Sequence, residues 1–293
     1  MKILFTSQRW VIAQLGCCAL LTACPPAQEA SQTSSKETRT AIVQDSENSN
    51  KPPSYWKPPE SYPTDPARAQ RVKYGEQLVA KTHAYLSPSA ADPGLRVAGN
   101  HLACKNCHLE SGKAPHAMGF IGIDRRYPAY YVPQQKEVTL SERIEACFQS
   151  SLNGKALPLK ERQALTDYLV WLGEAVPDDA PLLLPEAGLP ALKINSATAK
   201  GDADAGQPLY NYHCAACHGK TGLGLAADAK DLSKGYTFPP LWGPDSHSQR
   251  SSMADPLTAA RYIHKNMPLG RPLLTTPQAL DITAYMNAQE RPE

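Results

Sequence analysis

CKNCH (residues 104–108) and CAACH (residues 214–218) are two copies of one pattern: two cysteines, two residues between them, and a histidine directly after. The spacing has a chemical reason. Two thiols so placed add across the two vinyl groups of one haem, and the adjacent imidazole becomes the proximal ligand of its iron. A single match is also compatible with a redox dithiol, and two pairs with a zinc site. Here the pairs stand about 110 residues apart, far beyond zinc-ribbon spacing, and both are followed by His. The sequence therefore predicts two covalently bound c-type haems, held through Cys104 and Cys107 with His108, and through Cys214 and Cys217 with His218.

Around each motif the chain repeats itself. Val72, Leu78, Val79 and Leu86 mark an amphipathic helix before the first, and a shorter helix over 206–213 precedes the second. Each motif is followed by a closing helix that shares Gln-Ala-Leu (163–165 and 278–280), with Tyr168 or Tyr285 close behind. Thr276-Pro277 reads as a helix start. Helix, haem motif, long loop and closing helix resemble the plan of a class I cytochrome c domain. The expected fold is all-α, with two such haem domains in tandem at 66–175 and 197–293. The proline-rich VPDDAPLLLPEAGLP (176–190) lies in a linker over 176–196.

The N-terminus indicates export. Lys2 and Arg9 precede an apolar stretch over 11–23, too short to span a bilayer and suited to a signal peptide. Leu21-Thr22-Ala23-Cys24 resembles the lipobox of bacterial lipoproteins, which makes 1–23 a cleaved signal and Cys24 the lipidated residue. Several acyl chains on one cysteine give stable anchoring. Pro25 rather than Asp follows, so by analogy with lipoprotein sorting the expected location is the outer membrane, facing the periplasm. Residues 24–65 are rich in Pro, Ser, Gln and Asn and read as a flexible tether of roughly 35 Å reach. Formal net charge is +2 with no basic run, which argues against a nucleic-acid partner.

Each iron has a sixth position. In DPLTAARYIHKNMPLG (255–270) a helix capped by Asp255-Pro256 leads to Met267, whose thioether would raise a haem potential and suit electron transfer. Met253 and Met286 are rivals, with His264 and Lys265 further off. In VTLSERIEACFQSSLNG (138–154), Thr139 and Glu142 form a capping box and Asn153-Gly154 a helix end. Leu140, Ile144, Cys147, Phe148 and Leu152 share one stripe, so Cys147 faces inward in the half that owns the first motif. With Cys17 and Cys18 in the signal and Cys24 lipidated, it is the one unassigned cysteine. Two readings stand: a buried structural thiol, or a distal thiolate ligand that lowers the iron potential.

The two haem motifs, RIEACFQSSLNGKALP, YLVWLG, FPPLWGPDS and IHKNMPLG resemble, in order and from about residue 66 onward, the dihaem thiosulfate dehydrogenases. The resemblance implies His108 and Cys147 on the iron of a catalytic first haem, and His218 and Met267 on a second haem that carries electrons out. It implies coupling of two thiosulfates to tetrathionate through a sulfur adduct on Cys147, in either direction. The electron acceptor would be a soluble partner such as a small cytochrome c or a high-potential iron–sulfur protein. The substrates are dianions, so positive groups should converge on them: Arg125, Arg126, Arg143 and Lys155 are candidates, with Ser151 a hydrogen-bond donor beside the sulfur. One departure stands out. Residues 131–135 read Tyr-Val-Pro-Gln-Gln where family arginines are expected. Two other functions fit part of the pattern: a relay cytochrome without catalysis, and a thiosulfotransferase-like haem protein of sulfur oxidation.

Overall fold

A helix can cross another closely only where a side chain is missing, and two glycines do this work here. In the computed structural model, which describes residues 52–131, 135–194 and 199–293, helix α1 (Pro66–Ala80) opens with Asp65 accepting from the Arg68 amide at 2.9 Å and Pro66 in the first turn. Helices α2 (Leu140–Ser151) and α3 (Leu159–Gly173) follow. Helix α1 packs across α3 at Gly75, where an added Cβ would lie 2.0 Å from the Ala164 carbonyl oxygen and 2.7 Å from the Tyr168 Cβ.

The second half repeats the device. Helix α4 (Ala203–His213) packs against the last helix, α6 (Thr276–Asn287), with α5 (Pro256–Asn266) between them in sequence. At Gly206 an added Cβ would sit 2.0 Å from the Asp281 carbonyl oxygen and 2.9 Å from the Tyr285 Cβ. Glycine, closing helix and tyrosine therefore recur in the same relation. The start of α6 differs by one residue from expectation. Thr275, not Thr276, is the cap, because Gln278 returns its side chain to the Thr275 amide at 2.9 Å and completes a capping box.

Two main hydrophobic clusters result, one built on Val72, Leu78, Tyr168 and Leu172, the other on Tyr210, Trp242, Leu280 and Ile282, with a smaller third around Ala114, Ala117 and Tyr262. All three belong to one compact unit, Pro52–Glu293. Loop 245–251 joins the halves: Asn100 and Asn153 donate to the Ser246 carbonyl at 3.2 and 2.8 Å, and the Ser248 hydroxyl donates to the Ser150 carbonyl at 2.7 Å. Among the described residues, strand structure is confined to two short antiparallel pairs, β1 (Ala129–Tyr131) with β2 (Lys136–Val138), and β3 (Leu225–Ala226) with β4 (Tyr236–Phe238). No helix among the described residues is long and apolar enough to cross a membrane.

One boundary moves. The expected tether over 24–65 does not extend to residue 65: Trp56 is buried in the first cluster and its indole N–H donates to the Lys113 carbonyl at 2.9 Å. An indole removed from water in this way binds its segment to the body. The 176–190 strap is likewise seated rather than free, since Leu184 and Ala187 join the first cluster. The expected signal peptide, Cys24 and the start of the tether lie outside the described residues, as do Val132, Pro133 and Gln134.

Candidate active site

Helix α2 delivers Cys147. Its capping box forms as expected, with the Thr139 hydroxyl accepting from the Glu142 amide at 3.2 Å and Glu142 accepting from the Thr139 amide at 2.8 Å. The helix ends before Asn153, which takes the left-handed conformation (φ 51°). Leu140 and Phe148 bury beside Cys147, so the thiol is aimed into the protein by the stripe that its helix shows in sequence.

It opens on a cavity of about 430 Å³ lined by Cys104, Cys107 and His108 together with Cys147. Both cysteines of the first motif, its histidine and the lone cysteine therefore face one space. The rest of the lining is largely apolar, with Val79, Leu102, Phe120, Ile144, Leu165 and Leu169 among it. His108 Nδ1 contacts the Met118 carbonyl at 2.5 Å, which fixes the tautomer and leaves Nε2 for a metal. Burial pushes the imidazole pKa down to about 4, keeping the ring neutral as a ligand must be. Burial pushes the Cys104 thiol up, and Cys107 up to about 12. The Tyr262 hydroxyl, buried near Cys107, has no hydrogen-bond partner among the described residues. A flat apolar group bearing polar edge substituents, joined through two thioethers and one imidazole, fits this set.

Of the proposed polar residues, Arg126, Arg143 and Ser151 line the cavity. Arg143 also lies over the Tyr131 ring, 5.7 Å from its centroid. The other expectations fail on geometry. Arg125 turns away to the Ala180 and Pro181 carbonyls at 3.1 and 3.3 Å and secures the strap. Lys155 is exposed and does not line the cavity. The Ser151 hydroxyl pairs with the Ser251 hydroxyl at 2.9 Å rather than with sulfur. Lining residues of the second half that the sequence did not single out include His247 and Arg261, and Met253, weighed there as a ligand of the second iron, lines this cavity instead. Helical periodicity in the sequence marks one face of α5, that of Leu257, Ala260 and Ile263. The helix in fact buries Ala259 and Tyr262 as well, and so has two packed sides.

The second motif is built on the same pattern. His218 Nδ1 meets the Pro239 carbonyl at 2.8 Å, burial lowers its pKa, and burial raises the Cys214 thiol to about 12. Met267, at the end of α5, packs on the cluster that also receives Cys214. The rival methionines are placed otherwise: Met253 lines the Cys147 cavity, and Met286 is buried within α6. His264 is engaged with the Leu274 carbonyl at 2.7 Å.

Attachment cysteines, a carbonyl-oriented histidine and crossed terminal helices define a c-type cytochrome. In agreement, a family model described as cytochrome C oxidase, cbb3-type, subunit III matches residues 201–286. The chain belongs to the thiosulfate dehydrogenase family, whose members are oxidoreductases. It is 34% identical over 239 residues to the thiosulfate dehydrogenase of Thiomonas intermedia, covering 80% of this chain and 71% of that one. With the enzyme of Allochromatium vinosum it shares 37% over 227 residues, 74% and 79% of the two chains. The solved thiosulfate dehydrogenase (TsdBA) of Marichromatium purpuratum superposes with a TM-score of 0.71 at 32% identity, over 86% of this chain. This chain spans about half of that longer one, 52%.

Proposed function

We propose that this chain is a dihaem thiosulfate dehydrogenase that couples two thiosulfates into tetrathionate. The observation that carries it is the cavity: Cys147 faces the Cys104–Cys107–His108 set, three arginines line the same space, and among the described residues no carboxylate does. The names of the relatives supply the substrate. His108 and Cys147 would hold one iron, His218 and Met267 the other, in two haem domains over 66–175 and 197–293. The haems, when bound, supply one-electron acceptors for the two electrons that the coupling releases.

The residues account for the rest. Arg143 favours the Cys147 thiolate. The thiolate sulfur bonds to the outer sulfur of one thiosulfate as two electrons leave, giving Cys147–S–S–SO3⁻. The outer sulfur of a second thiosulfate then attacks the adduct sulfur that came from the first. That step forms the central bond of tetrathionate and breaks the bond to Cys147, returning its thiolate. Run backwards, the same steps reduce tetrathionate. Arg126 and Arg143 hold the sulfonate ends through charged hydrogen bonds, and the apolar wall excludes water.

The lipobox at Cys24 supports an exported, lipid-anchored protein facing the periplasm, with a soluble redox partner as acceptor. The test is turnover of the purified protein with thiosulfate and ferricyanide. The expected products are one tetrathionate and two ferrocyanides for two thiosulfates. Absence of turnover contradicts the proposal.

A further inference from the structure

Two thiosulfates bring four negative charges toward Cys147, and the half of the chain that carries the first haem motif offers Arg126 and Arg143 to meet them. The third arginine of the cavity comes from elsewhere. Arg261 lies on α5, the helix that runs to Met267 in the other half. Its Nε is buried without a hydrogen-bond partner, and it forms no ion pair among the described residues. A buried guanidinium N–H left unpaired is costly unless an anion meets it. Among the described residues, no Asp or Glu lines the cavity to do so.

We infer that Arg261 binds the sulfonate of a sulfur oxyanion beside Cys147, completing the substrate pocket from the second half of the protein. This rests on the thiosulfate reading. The helix is fixed for the task. Tyr262, the next residue, packs with Ala114 and Ala117 of the first half, and the Asn266 amide donates to the His116 carbonyl at 3.0 Å. The helix that carries Arg261 is thus tied to the first half through the next residue and through Asn266, and the planar fork of Arg261 matches a sulfonate in the way it matches a phosphate. The same residue accounts for a pocket that lacks arginine in the 131–135 stretch. Because α5 ends at Met267, one rigid element touches both the substrate pocket and the proposed ligand of the second iron.

The test uses the haem-loaded protein with Arg261→Ala and Arg261→Lys, each checked for haem content by pyridine haemochrome. KM and kcat for thiosulfate are measured with ferricyanide. Thiosulfate affinity is measured by calorimetry on electrochemically reduced protein, which cannot oxidise it. The haem midpoint potentials are the third readout. Arg261→Ala is expected to raise KM and the calorimetric Kd by about tenfold or more, the range a charged hydrogen bond supports. Lysine should restore part of that loss, and both potentials should stay in place. A shifted potential with unchanged KM and Kd would make Arg261 a partner of the haem edge and overturn the inference. Wild-type turnover with unchanged KM and Kd in Arg261→Ala refutes the site and leaves the reaction standing. Wild-type binding that depends on Arg261 without turnover refutes the reaction and leaves the site.

Discussion

Arg143 stands one helical turn before Cys147 on α2: burial pushes the Cys147 thiol pKa up, and the arginine's charge pulls part of that rise back down. The pull is mutual, since Cys147 raises the pKa of Arg143. A thiolate nucleophile in an apolar pocket needs such a counter-charge.

Removing that charge should be visible in a pH profile. Arg143→Ala raises the Cys147 pKa further, so less thiolate is present at a given pH and the acid limb of kcat/KM moves to higher pH. The expected loss at neutral pH is about 10- to 100-fold, as one oxyanion contact goes with it. Arg143→Lys should keep the limb nearer its original position. An unmoved limb in Arg143→Ala would detach the arginine from the thiol.

Gly206→Ala tests the helix crossing. A methyl placed 2.0 Å from the Asp281 carbonyl oxygen must drive α4 and α6 apart. The cost should exceed the ~1–3 kcal/mol of ordinary overpacking, because backbone rather than a movable side chain is in the way. Thermal unfolding of the haem-loaded protein reads it. An unaltered Tm would show that the crossing tolerates a Cβ.

Trp56→Ala tests the moved tether boundary. Losing a buried indole and its bond to the Lys113 carbonyl should cost about 3 kcal/mol in denaturant unfolding. A change within ±0.5 kcal/mol would return the segment to the tether.

Much of this architecture is legible in the sequence because it rests on local rules. The capping box at Thr139, the Asp255-Pro256 start of α5 and the inward stripe through Cys147 each need only neighbours a few residues away. The haem motifs carry their chemistry in five residues. What escaped was long-range. Trp56 stands in a segment whose composition reads as disordered, and only the groove near Gly119 and Lys113 gives it a place. Arg125 and Arg126 are adjacent in sequence, yet one secures the strap and the other lines the cavity. Arg261 was missed because a single amphipathic face describes a helix with one packed side, and α5 has two.

Met267→Ala should leave the first haem unchanged and lower the potential of the second, since a soft thioether favours ferrous iron more than water does. Spectroelectrochemistry separates the two. A second-haem potential that does not move would shift the ligand to His264, Lys265 or another side chain.

The central claim is that Cys147 is both an iron ligand and the sulfur on which the substrates meet, and Cys147→Met tests it most directly. Methionine fills a similar apolar volume and can ligate iron, so the fold and both haems should remain. The decisive measurement is a spectroelectrochemical titration of this variant, run beside its thiosulfate turnover. The account expects the first haem's potential to rise, any thiolate-to-iron charge-transfer band to disappear and turnover to drop to background. A variant that keeps its spectrum, its potential and its turnover would make Cys147 a packed core thiol and contradict the account.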